Sequence, residues 1–154
     1  MNINYYMRLA IEEAKKAYLF DEVPIGAILV DNCSKSIISS AQNQIFRLNN
    51  PTKHAEMNVI DYGCDKKKSK YLFNTSIFIT LEPCAMCATA ISKAKIERIY
   101  FGAYDEKQGS LESIMHIYNN KNFYIPEIYG GIEEKECSQL LKKFFKTKRN
   151  KNVN

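Results

Sequence analysis

The sequence predicts a three-layer α/β domain built around a mixed sheet. Segments with helical apolar spacing alternate with short β-branched and aromatic runs, the pattern of helices packed on a sheet. The resulting order is helix, hairpin, helix, strand, helix, strand and closing helix, which suits a mixed sheet covered on both faces. The chain has 154 residues, 45% apolar and 25% charged, enough for one core and too apolar for wholesale disorder.

Each element has a local reason. From Tyr5 to Leu19 the residues Tyr6, Leu9, Ala10, Ala14 and Ala17 recur on one helical face, with lysines and acids on the other. Asp21-Glu22-Val23-Pro24 stops this helix, because proline disfavours helix in the residue before it. Ile25–Val30 reads as a buried strand, and Asp31-Asn32-Cys33-Ser34 as the turn of a hairpin returning through Ile37-Ile38. Asn49-Asn50-Pro51-Thr52 opens a helix expected over Lys53–Tyr62, ended by Gly63, with Lys66-Lys67-Lys68 in an exposed loop. Ile77–Leu81 is a strand. Pro83 then suits the first turn of a helix running to Ala94. Arg98–Gly102 is a further strand, Glu112–Tyr118 a short helix, Glu127–Tyr129 a short strand and Glu133–Lys148 a long amphipathic helix. No repeat or linker divides the chain, so 1–154 reads as a single domain.

No apolar run approaches the ~18 residues that a membrane-spanning helix needs. The start lacks the basic-then-apolar layout of a signal peptide, which predicts a cytoplasmic protein. The net charge of +5 is unevenly placed. Lys142, Lys143, Lys146, Lys148, Arg149 and Lys151 fall in one stretch, and no acid lies beyond Glu136. The rest of the chain holds 16 basic residues against 17 acidic ones. A near-neutral body with a basic tail points to a polyanionic partner, a solvated terminus being the alternative.

Five cysteines, an odd number, argue against a disulfide framework and for metal or catalytic roles. Cys84 and Cys87 form a Cys-x-x-Cys at a helix start, where backbone N–H groups favour thiolate over thiol. Alone this could be a redox pair. With His54 at the start of another helix it becomes a two-thiolate, one-imidazole set fit for zinc, with a fourth position open or filled by water. Cys33, Cys64, Cys137 and His116 are the other possible ligands, and none lies in a ligand-like pair. Two residues beyond His54, Glu56 can reach the same pocket without ligating. There one carboxylate can accept a proton from a water and later return it to a leaving group.

His54-Ala55-Glu56 with Pro83-Cys84-Ala85-Met86-Cys87 resembles the signature of the zinc nucleobase deaminases. The chain further resembles the bacterial tRNA-specific adenosine deaminases over Val23–Ala27, Asn50–Met57, Thr80–Cys87, Phe101–Gly109, Gly130–Ile132 and Glu136–Phe145. That resemblance implies a cytidine deaminase-like α/β/α fold with about five strands in a mixed sheet. It also implies one zinc per subunit on His54, Cys84 and Cys87, Glu56 as proton shuttle, and a homodimer. The implied reaction turns the wobble adenosine of a tRNA anticodon, chiefly that of an arginine tRNA, into inosine. Asn43 falls where the family has a base-contacting asparagine, a turn cap being its other reading. Asp105 and Lys107 fall on the implied RNA-facing rim.

Phe144 and Phe145, adjacent on a helix, must face different ways, one to the core and the other to RNA or the pocket. Lys146, Lys148 and Arg149 beside them suit a flexible anticodon loop. Lys53 stands where the family usually has alanine. An Asn-His pair common in the family is replaced in the region of Phe123-Tyr124-Ile125-Pro126, and the hairpin around Cys33–Ser36 is about two residues longer than usual. Deamination of a free base, nucleoside or nucleotide with the same zinc is one rival reading. A nucleic-acid-binding module with a four-ligand structural zinc is another.

Overall fold

Alternate residues of the inner strands face opposite sides of one sheet, and this alternation divides the core in two. In the computed structural model, which describes residues 1–152, the chain runs α1 (Ile3–Leu19), β1 (Gly26–Asp31), β2 (Ile37–Gln42), α2 (Ala55–Lys67) and β3 (Thr75–Leu81). It continues through α3 (Ala85–Lys93), β4 (Arg98–Ala103), a single 3₁₀ turn (Ile117–Asn119), β5 (Glu127–Tyr129) and α4 (Glu134–Lys151). The sheet order is β2-β1-β3-β4-β5. β1 is antiparallel to both β2 and β3, while β3, β4 and β5 are mutually parallel, so the sheet is mixed as expected.

Ala27, Leu29, Ile77, Ile79, Ile99 and Phe101 face one layer, where Val59 and Ile60 of α2 and Ile91 of α3 cover them. Ile28, Val30, Phe78 and Tyr100 face the other, against Tyr6, Met7, Ala10 and Ile11 of α1 and Cys137 of α4. Period-2 strands thus meet period-3.6 helices on both faces, the three-layer arrangement the residue pattern called for.

Three local expectations are corrected. α2 does not end at Gly63 but continues to Lys67, so Lys66 and Lys67 form its last turn and Lys68 caps it at φ 52°. Gly63 serves packing instead: a Cβ there would lie 2.6 Å from Leu29 Cδ2. Pro83 precedes the N-cap Cys84 rather than opening α3, because residues 82 and 83 are tied to the segment after β4. The helix expected over Glu112–Tyr118 shrinks to the 3₁₀ turn, since Ile114 and Met115 donate their N–H groups to the Gly109 carbonyl and Ile117 to that of Ser110, rather than to the residue four back. Among the described residues, no helix is long and apolar enough to cross a membrane.

The hairpin turn is held by Asp31, whose carboxylate accepts from the N–H groups of Cys33 and Ser34, each at 3.0 Å, and from Lys67 Nζ at 3.2 Å. The Ser34 N–H holds this carboxyl down to about 2 against the effect of burial, with Lys67 and the Cys33 N–H adding to it. A lowered folded-state pKa stabilises the fold above the ordinary carboxylate value and ceases to do so as pH falls through about 2. Asp31→Asn should therefore lose about 1 kcal/mol of unfolding free energy at pH 7. In urea unfolding followed from pH 7 to pH 2, the gap from wild type should close below about pH 4. A gap constant over that range would contradict this role.

Candidate metal centre

Two helices start close together at one edge of the sheet. β2 and β3 run in the same direction on either side of β1, so their carboxyl ends share that edge, and α2 and α3 each follow from it. His54 is the N-cap of α2 and Cys84 the N-cap of α3, and neither side chain caps its own helix. Both helix starts therefore turn backbone N–H groups and a positive dipole end toward the space between them. Cys87, one turn into α3, is fully buried.

The donor atoms converge. His54 Nδ1 lies 3.6 Å from Cys87 Sγ and 3.9 Å from Cys84 Sγ, and one donor atom from each residue falls within 4.8 Å of the others. Tetrahedral zinc, with bonds of about 2.0 Å to nitrogen and 2.3 Å to sulfur, requires ligand separations of roughly 3.5 Å. Among the described residues this is the one such cluster of His, Cys, Asp or Glu. The other sequence candidates stay outside it. Cys33 is exposed, Cys64 half-buried, and Cys137 is buried with its thiol pushed up to about 12 by desolvation. His116 Nδ1 lies 3.2 Å from the Leu111 carbonyl. A hydrogen bond from Cys87 holds the Cys84 thiol down to about 4, with His54 adding to it, while Cys87 is pushed up by the same partnership and by burial.

Glu56, on the first turn of α2, is 3% exposed, and its Oε2 has no hydrogen-bond partner among the described residues. Burial pushes this carboxyl up to about 7, opposed by its own backbone N–H and by the charge of His54. Two thiols, an imidazole and an unpartnered buried carboxylate oxygen beside them fit a catalytic zinc with a proton-transfer group.

The remaining expected site residues are spread more widely. Asn43 is buried and its Oδ1 accepts from Ala55 N at 2.9 Å, so the asparagine helps cap α2, the second of the two roles the sequence offered for it. Asp105 Oδ1 accepts from the N–H groups of Lys107 and Gln108, and Lys107 is exposed. Phe144 is 5% exposed and packs edge-on against Tyr18, which removes it from the surface expected to meet RNA; Phe145 is 48% exposed. Lys146 and Arg149 are exposed, whereas Lys148 is paired with Asp21. Lys53 reaches Asp61 at 3.4 Å.

Sequence reasoning missed Glu82. This carboxylate is 1% exposed and accepts from the N–H groups of Asp105, Leu111, Glu112 and Ser113 and from the Ser113 hydroxyl. It clamps the 105–113 segment to the chain just ahead of Cys84. Its only sequence signal is an acid between an apolar strand and Pro83, which reads equally well as a strand stop. Asn58 was missed too: its Nδ2 donates to the carbonyl of Gln42 at 3.1 Å and to that of Lys53 at 3.4 Å, holding both ends of the loop that precedes α2.

Residues 1–103 match the cytidine and deoxycytidylate deaminase zinc-binding region. A tRNA-specific adenosine deaminase of Rickettsia bellii is 43% identical over 141 residues, covering 91% of this chain and 97% of the relative. A solved structure from work on A-to-I editing by tRNA:A34 deaminases at the wobble position of transfer RNA superimposes with a TM-score of 0.85 at 40% identity. It covers 89% of this chain and 99% of that one. A guanine deaminase from Nitrosomonas europaea shares the fold, with a TM-score of 0.81 over 92% of this chain and 83% of its own, at 14% identity.

If the cluster is the metal site, His54→Ala and Cys84→Ala proteins should hold less than about 0.1 zinc per chain, against about one in the wild type. Cys33→Ala and Cys64→Ala proteins should keep theirs. Elemental analysis after gel filtration checks this, and full zinc in Cys84→Ala would contradict the assignment.

Proposed function

Because the chain belongs to the tRNA-specific adenosine deaminases of the cytidine and deoxycytidylate deaminase zinc-binding family, we propose that it converts the wobble adenosine of a tRNA anticodon to inosine by hydrolysis. The observation that carries the reaction type is the buried carboxylate of Glu56 with a free oxygen beside a three-donor cluster. Residues 1–154 act as one deaminase domain, in the cytoplasm where the tRNA is. The substrate is the anticodon stem-loop of an arginine tRNA, and the working assembly is a homodimer.

His54, Cys84 and Cys87 would hold a zinc ion, which when bound would lower the pKa of a water toward neutrality. Glu56 takes a proton from the attacking water and delivers it to the ring nitrogen beside the amine-bearing carbon. It then helps the exocyclic amine leave as ammonia. The oxygen of water replaces the amino nitrogen, and no electrons change hands. A carboxyl held near neutrality by burial suits a group that must both accept and return a proton. The Asn43 amide, fixed through Ala55, presents its nitrogen to an acceptor on the purine. Asp105, Lys107, Phe145, Lys146, Lys148 and Arg149 line the path of the flanking RNA.

Glu56→Gln tests the reading directly. On a synthetic anticodon stem-loop, single-turnover inosine formation should fall by about 10²–10⁴-fold while zinc content and RNA affinity stay at wild-type values. Retained turnover would overturn the role of Glu56. Ammonia from free guanine or cytosine, with none from the stem-loop, would overturn the substrate.

The basic tail is tested by the double variant Lys146→Ala, Arg149→Ala. Each cation that neutralises a phosphate contributes roughly 0.7 to the slope of log affinity against log salt, so removing this pair should reduce the slope by roughly 1.4. An unchanged slope would mean that these side chains are only solvated.

A further inference from the structure

Beyond the catalytic cluster, the loop between β2 and α2 ends in an aromatic and cationic tip that neither the zinc chemistry nor the core explains. The base of this loop is closed by Gln44 N donating to the Lys53 carbonyl at 3.0 Å, immediately between Asn43 and His54. At its tip Phe46 is 72% exposed, although it is a large apolar side chain. Next to it, Arg47 is held by its backbone. Its N–H donates at 2.7 Å to Glu22 Oε1, on a side chain that is 1% exposed. Its guanidinium carbon lies 4.1 Å from the centre of the Phe20 ring, and Phe20 is itself 57% exposed.

Opposite this tip is the last part of α4. Phe20, Asp21, Phe46, Arg47 and Lys148 line a hollow of about 440 Å³ that is open to solvent. It adjoins a second of about 420 Å³, which shares Asp21 and Lys148 and extends to Lys151. Three cations line this surface against one acid, and that acid, Asp21, is already paired with Lys148. The chemistry is therefore two open aromatic rings, an arginine held over one of them, and excess positive charge. This suits a planar ring attached to a phosphate, and single-stranded RNA supplies that unit repeatedly.

We infer that the hollow between the Phe46–Arg47 loop tip and the end of α4 is a stacking site for a nucleobase of the RNA strand flanking the target nucleotide. The inference rests on the RNA reading proposed for the catalytic site and deepens it. The base lies against Phe46 and the Phe20–Arg47 pair, and its phosphate faces Lys148 and Lys151. Because Glu22 anchors Arg47 and the loop base is closed beside His54, the stacked base would fix the register of the strand relative to the catalytic pocket. Little ordering of the protein is then left for the moment of binding.

The test is equilibrium binding by fluorescence anisotropy to anticodon stem-loops that carry inosine at the target position, so that no turnover intervenes. One set of RNAs also lacks the base at a single flanking position. Phe46 is too exposed for its loss to threaten the fold. Phe46→Ala should weaken binding about tenfold with an unchanged salt slope, within the range expected for losing one stacked base. Phe46→Tyr should restore binding. On the one RNA whose missing base occupies the hollow, Phe46→Ala should cause no further loss.

Wild-type affinity in Phe46→Ala would overturn the inference, and so would an equal loss on every abasic RNA. An altered sedimentation coefficient in Phe20→Ala and Phe46→Ala with unchanged RNA affinity would also overturn it, by making the patch a contact between copies. Failure of the adenosine reading has a different signature: wild-type protein forms no inosine from an adenosine stem-loop, yet the same binding pattern persists.

Discussion

Two helices beginning at the same sheet edge impose the geometry on which the chemistry depends. β2 and β3 are parallel in direction and separated by one antiparallel strand, so the helices that follow them start side by side. An ordinary helix start would carry Ser, Thr, Asp or Asn to cap its own N–H groups. Here the cap positions are His54 and Cys84, which make no capping bond. Helix stability is given up locally, and the unsatisfied N–H ends favour negative sulfur where a metal is to be held. Asn43 offsets part of the loss by reaching across to Ala55 N.

The two buried glutamates near the site show how environment divides one residue type into two roles. Glu82 is surrounded by five donors, and these outweigh the effect of burial, so its carboxyl stays below the usual range. Such a group is a fixed anion that holds a loop. Glu56 is also buried but one oxygen has no partner among the described residues, and burial wins, pushing its carboxyl up to about 7. Reactivity follows from the missing donors rather than from the residue's identity.

The metal centre was legible in the sequence because its ligands lie at helix starts with fixed short spacings, and the layers because strand and helix periodicities are local properties. What failed depended on long-range partners. Gly63 looks like a helix stop, yet it is the place where α2 needs room for Leu29 of the sheet. Residues 112–118 read as a helix, but Ile114, Met115 and Ile117 donate to the carbonyls of Gly109 and Ser110 instead of to the residue four back. Adjacent phenylalanines must diverge on a helix, but only the position of Tyr18 decides that Phe144 turns inward and Phe145 outward. Phe20 and Arg47 carry no shared motif, and folding alone stacks them.

The proposed chemistry is hydrolysis of the exocyclic amine of one adenosine presented in an RNA loop. Its most direct test is incubation of the zinc-loaded protein with total tRNA followed by sequencing, in which inosine is read as an A-to-G change. New inosine is expected at the wobble position of an arginine tRNA, and at no internal position of paired stems. A tRNA pool with every wobble adenosine intact, alongside ammonia release from free guanine or cytosine, would contradict it.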